Sequence, residues 1–199
     1  MKNYLLIALL SITSALANTT EIVFLGDSLT AGYGIEKEKA YPQIVENKLK
    51  AKGKDIKVLN GGVSGSTTAG GKSRLGWFLK KSNPDIMVLA LGANDGLRGL
   101  KLSQSEKNLE EIINIAKKKN IKVLLAGMRL PPNYGKDYVE QFRSMYKKLK
   151  EKHSLKMIPF MLKDVGGRKE LNIEDGIHPN EKGHEVIANT VIKYLEPLL

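Results

Sequence analysis

The sequence contains no cysteine. Disulfides, thiolate metal sites and a cysteine-linked lipid anchor are therefore excluded. Aromatic residues make up 6% of the chain, with one tryptophan. They are not interleaved with the basic runs, so stacking on nucleic-acid bases is not expected. No apolar run reaches the roughly 20 residues that a comfortable membrane span needs. Acidic residues are in the minority, 21 against 32 lysines and arginines, for a formal charge of +11. A basic balance can attract nucleic acid or anionic lipid, and it also keeps a protein soluble. The short runs Lys117-Lys118-Lys119 and Lys147-Lys148 fall toward the C-terminal ends of expected helices, where cations suit the helix dipole. They read as solvated helix faces, and no nucleic-acid partner is expected.

The chain opens with what looks like an address. Lys2 precedes the apolar stretch "YLLIALLSITSALA", and Ala15-Leu16-Ala17 is a small-x-small cleavage pattern. Residues 1–17 are expected to be a signal peptide, and residues 18–199 one domain of an exported protein, periplasmic or secreted. An uncleaved N-terminal anchor is the alternative. A chain of 199 residues suits one domain with a sizeable core, and no repeat or linker divides it.

Beyond the leader, strand-like and helical patterns alternate. "EIVFL" precedes a helical pattern over Tyr41 to Lys52, stopped by Gly53. "IKVLN" leads through a glycine- and serine-rich loop to a helix around Leu75 to Lys81. "DIMVLAL" is apolar on successive residues, as a strand covered on both faces must be. Ser103 and Glu106 have the spacing of a capping box, expected to open the next helix. "IKVLLAG", a helix from Tyr138 to about Lys152, "LKMIPF" and a helix from about Asn180 to Leu195 complete the series. The expected fold class is α/β: a three-layer α/β/α sandwich with a five-stranded parallel sheet, flavodoxin-like.

The polar oddities follow the strands: Ser28 after the first, Gly61 to Gly65 after the second, Gly92 to Asp95 after the third. Asp175 and His178, in "DGIHPN", lie between the last strand and the last helix. Ligands bind beyond the C-terminal ends of strands in such sheets, so four distant loops converge on one edge. Ser28 can be a nucleophile if a base adjoins it. The plain alternative is a helix N-cap serine. Thr30 breaks the nucleophile-elbow pattern G-x-S-x-G. His178 can be the base, with Asp175 bending back to its ring; otherwise the stretch is an Asp-Gly turn before a helix. Asn94 can donate to an oxyanion, or it is a turn residue. His153 and His184 read as surface residues. A metal site from His178, His184 and Asp175 is a weak option, because the two histidines lack i, i+4 spacing. No metal or organic cofactor is expected.

At these residues the sequence resembles the SGNH, or GDSL, hydrolases. "GDSLTAGYG", "NGGVSGS", "GAND" and "DGIHPN" are similar to the four blocks of that family, in order along nearly the whole mature chain. "GANDGLRG" and "RLPPNYG" look most like its thioesterase I/lysophospholipase L1 (arylesterase) branch. The resemblance implies Ser28 as nucleophile, His178 as base and Asp175 as its orienter. It also implies an oxyanion hole from the Ser28 and Gly65 N–H groups and the Asn94 amide, with Asp27 structural. Leu97, Leu100, Leu130, Pro131, Pro132 and Tyr134 are candidates to line an acyl groove, with "LRGLKLS" as a lip, or they are ordinary packing residues. The expected partner is a small-molecule acyl ester or lysolipid, with transient contact to a membrane surface, and a monomer is expected. The alternatives are a carbohydrate O-acetylesterase of the same fold and a non-catalytic exported lipid-surface binding protein.

Overall fold

The computed structural model describes residues 19–199; the expected signal peptide lies outside them. Five parallel strands form one sheet: β1 Thr20–Gly26, β2 Ile56–Gly62, β3 Ile86–Ala90, β4 Lys122–Ala126 and β5 Lys156–Ile158. Their order is β2-β1-β3-β4-β5. Glycine or serine loops and short helical turns leave the C-terminal strand ends. The returning helices are α2 Tyr41–Ala51, α3 Gly71–Leu79, α5 Leu102–Lys118, α6 Lys136–His153 and α7 Glu181–Leu195. Two one-turn helices, α1 Ser28–Ala31 and α4 Ala93–Leu97, sit on the C-terminal edge. α2 packs with α7 on one face of the sheet, and α3, α5 and α6 pack together on the other. This is the expected three-layer, flavodoxin-like α/β sandwich.

The sheet interior follows from the apolar runs. Ile22 to Leu25 and Ile86 to Leu89 are buried on both faces, as central parallel strands require. β2, an edge strand, is only partly covered. The helices bury the stripes that the sequence marks: Ile44, Val45 and Leu49; Leu109, Ile112 and Ala116; Phe142, Met145 and Leu149.

Three expectations are corrected. The capping box does not form: α5 starts at Leu102, with Lys101 as its cap and Ser103 already inside the first turn. Leu102 is drawn into the core, and Ser105 Oγ bonds the carboxylate of Asp95 at 2.9 Å; these contacts set the helix start. His184 is not a surface residue: it is 1% exposed. Its Nδ1 accepts the Tyr41 backbone N–H at 3.1 Å, and its ring stacks over that of Tyr41. His153 is also drawn inward, its Nε2 2.9 Å from Glu110 Oε1.

Candidate active site

β1 is the point at which the chain reverses its direction across the sheet, with β2 on one side and β3 on the other. Such a switch point opens a crevice beyond the strand ends. Ser28 occupies it. Asp27 caps α1, its Oδ1 accepting the Leu29 N–H at 3.1 Å. Ser28 is therefore the first helical residue rather than the cap. The turn is tight because two glycines admit it. A Cβ on Gly26 would stand 1.8 Å from Thr30 Oγ1, and one on Gly62 would stand 2.2 Å from the Ala31 backbone nitrogen.

His178 arrives from 150 residues away, with Nε2 2.9 Å from Ser28 Oγ. Its Nδ1 lies 2.6 Å from Asp175 Oδ2. An ionised carboxylate only accepts, so Nδ1 carries the ring proton and Nε2 accepts the serine hydroxyl. Asp175 Oδ1 accepts the N–H groups of Ile177 and His178, both at 2.9 Å. Slight burial pushes the Asp175 carboxyl up, but the bonds from the backbone and ring of His178 and from Ile177 outweigh it and hold the group at about 2. The bracket is anchored at its base. Ile173 N–H donates to His178 O at 2.8 Å, and Asn180 caps α7 by accepting from Gly183 N–H.

The candidate oxyanion donors lie beside this line. The Ser28 and Gly65 N–H groups have no acceptor among the described residues. Gly65 adopts a left-handed φ of +73°, which a side chain would strain. Asn94 uses one amide hydrogen on Ser66 O at 3.1 Å, leaving the second free. Of the groove candidates, Leu97 and Leu100 are 42% and 41% exposed, whereas Leu130 is a core residue, 7% exposed. Pro131 and Pro132 are exposed and Tyr134 is half-buried. Tyr134 Oη donates to Leu97 O at 3.0 Å and Tyr138 Oη to Leu100 O at 2.8 Å, tethering the expected lip.

Several residues of the site were given no role by the sequence. Asp95 is buried and accepts from Thr68 N–H, Thr68 Oγ1 and Ser105 Oγ, locking the loop that bears Asn94 onto α5 and the Thr68 turn. Its one sequence signal is a carboxylate at the end of an apolar strand. Arg98 Nη2 donates to Gly65 O, and Arg74 Nη2 to Ser66 Oγ, both at 2.9 Å. Two further nitrogens of Arg74 are buried without a partner. Tyr33 packs against the His178 ring, with centroids 4.6 Å apart. The histidine pair considered for metal is split: His178 faces Ser28 and Asp175, while Nδ1 of His184 is taken by Tyr41. Among the described residues no three candidate ligands are grouped to hold a metal.

A parallel sheet with a hydroxyl, an imidazole and a carboxylate joined at its switch point has the architecture of the serine-hydrolase class. Residues 24–186 match the GDSL-like lipase/acylhydrolase family, and the chain belongs to that family. It is 37% identical to thioesterase 1/protease 1/lysophospholipase L1 of Escherichia coli K12, covering 98% of this chain and 92% of that protein. It is 36% identical to an arylesterase of Vibrio mimicus, covering 96% and 97%. The crystal structure of TesA superposes with a TM-score of 0.87 at 36% identity, covering 90% of this chain and all of that one. The chain is accordingly a carboxylic ester hydrolase.

Proposed function

We propose that the protein is an exported serine esterase acting on short- to medium-chain acyl esters, with acyl thioesters and lysophospholipids among its substrates. His178 takes the Ser28 proton as Ser28 Oγ bonds to the substrate carbonyl carbon. The carbonyl oxygen becomes an oxyanion held by the Ser28 and Gly65 N–H groups and the Asn94 amide. The tetrahedral species collapses, the bond to the alcohol or thiol breaks, and His178 protonates the leaving group. Water then repeats the sequence on the acyl-enzyme and frees the acid. Asp175 holds the ring tautomer and balances the imidazolium. Each oxyanion donor is worth about 2.7–4 kcal/mol in the transition state.

The observation that carries this reading is the continuous line from Ser28 Oγ through both nitrogens of His178 to Asp175, at 2.9 and 2.6 Å. The acyl-ester class is supported by the relatives' names and by exposed Leu97 and Leu100 beside the Asn94 loop. Export is supported by the apolar leader and its Ala15-Leu16-Ala17 site. The test is hydrolysis of a nitrophenyl ester series. Ser28→Ala lowers kcat on the order of 10⁶-fold with the fold intact, and wild type prefers short to medium chains. Wild-type turnover by Ser28→Ala ends the assignment; activity on acetate alone transfers the substrate to O-acetyl groups.

A further inference from the structure

The positive charge is not spread evenly. In a parallel sheet wound this way, every returning helix delivers its C-terminus to the edge where strands begin, opposite the Ser28 crevice. Lys50 and Lys52 close α2, Lys80 and Lys81 follow α3, and Lys117 to Lys119 close α5. Lys150 and Lys152 fall in the last turn of α6, and Lys193 in that of α7. Lys122 and Lys156 open β4 and β5, and Lys57 is the second residue of β2. All of these lysines are exposed. Glu46, Glu196, Glu21 and Glu110 pair with Lys50, Lys52, Lys57 and Lys152, and Asp55 and Asp85 also lie here. Lys80, Lys118, Lys119 and Lys156 have no carboxylate partner among the described residues.

A further feature shares this edge. Trp77, near the end of α3, is 51% exposed with Lys81 Nζ 4.1 Å above its ring. The arginines Arg74, Arg98, Arg129, Arg143 and Arg168 all lie elsewhere. Lysine point charges without arginine forks or stacked aromatics suit diffuse phosphate charge better than base recognition. An exposed tryptophan among lysines suits a bilayer interface.

We propose that this edge docks on an anionic phospholipid bilayer, holding the catalytic crevice toward water. The docked enzyme then meets its substrate from the aqueous side. The test is flotation of the full chain with phosphatidylcholine vesicles, with and without phosphatidylglycerol. The readout is the increment in binding that phosphatidylglycerol adds, because residues 4–17 are apolar in any vesicle. That increment disappears in about 1 M salt, where the screening length is about 3 Å. In the variant carrying Lys80→Glu, Lys118→Glu and Lys119→Glu it falls at least roughly 100-fold, at about five-fold per lysine. Trp77→Ser weakens it further. Hydrolysis of a soluble aryl ester stays at the wild-type level in these variants, which separates the docking edge from the reaction. Equal binding to both vesicle types, an unchanged increment in the triple variant, or tighter retention on duplex DNA than on the anionic vesicles would overturn the proposal.

Discussion

Asp27 caps the turn that presents Ser28, and His184 bonds Tyr41, whose Oη lies 2.8 Å from Thr30 Oγ1 in the same turn; the two groups titrate in opposite senses. Burial pushes the Asp27 carboxyl up from 3.8 to about 6, against the pull of the Leu29 N–H, its own backbone N–H and the charges of His178 and Arg74. Its contribution to stability is full below about 4 and is lost as pH rises through about 6. Burial, helped by the charge of His178, lowers His184 from 6.5 to about 4. That contribution is full above about 6.5 and is lost as pH falls through about 4. Each amounts to roughly 3 kcal/mol, so the two slopes offset each other between the two values. Asp27→Asn removes one of them. Relative to wild type, it gains roughly 2 kcal/mol of stability between pH about 4.5 and 6, read from urea midpoints at both pH values. A variant that tracks wild type at both would show that Asp27 ionises as it does in water.

At the scale of elements, the site depends on how closely α1 approaches β2. The sequence places Gly61 and Gly62 in a glycine- and serine-rich loop after the second strand, but Gly62 is the last residue of β2, and it is small because the backbone of α1 lies against it. Gly62→Ala forces Ser28 and its turn away from the strand. The expected loss is roughly 1–3 kcal/mol of stability and on the order of 10²-fold in kcat, as about 1 Å of misplacement produces. Gly76→Ala in the middle of α3 is the contrasting change. Nothing lies within 4 Å of the added Cβ, so it stabilises by about 0.5–1 kcal/mol and leaves turnover unchanged. Thermal melts with aryl-ester kinetics on both variants check the pair. α3 also begins earlier than its apolar pattern suggests, at Gly71, where a Cβ would stand 2.5 Å from Ile112 Cδ1. Close packing between helices, rather than local propensity, sets that boundary.

Across the whole molecule, the charge asymmetry has a thermodynamic consequence. With +11 net charge and lysines gathered at the strand-entry edge, the folded state repels itself at low ionic strength. Raising salt from about 0.01 M to 0.15 M shortens the screening length from about 30 to 8 Å. The expected result is a rise in Tm of about 2–4 °C, equivalent to about 1 kcal/mol. Scanning calorimetry across that range checks it. A falling Tm would mean that the ion pairs of Lys52 with Glu196 and Lys57 with Glu21 outweigh the repulsion.

The sequence by itself determined the alternation of strands and helices, the double burial of the Ile86 run, and the four polar blocks after strand ends. These are local properties, written within a few residues by apolar period and turn chemistry. It also named Ser28, Asp175 and His178 as candidates, each with an ordinary alternative. Tertiary structure alone decided that Ser28 and His178, 150 positions apart, meet at 2.9 Å, because strand order is not encoded in periodicity. It also buried His184 against Tyr41, turned Asp95 inward to Thr68 and Ser105, and set Arg74 and Arg98 on the Gly65 loop. Those partners come from separate elements. Pairing energy for a buried polar group exists only once the sheet has placed both groups out of water.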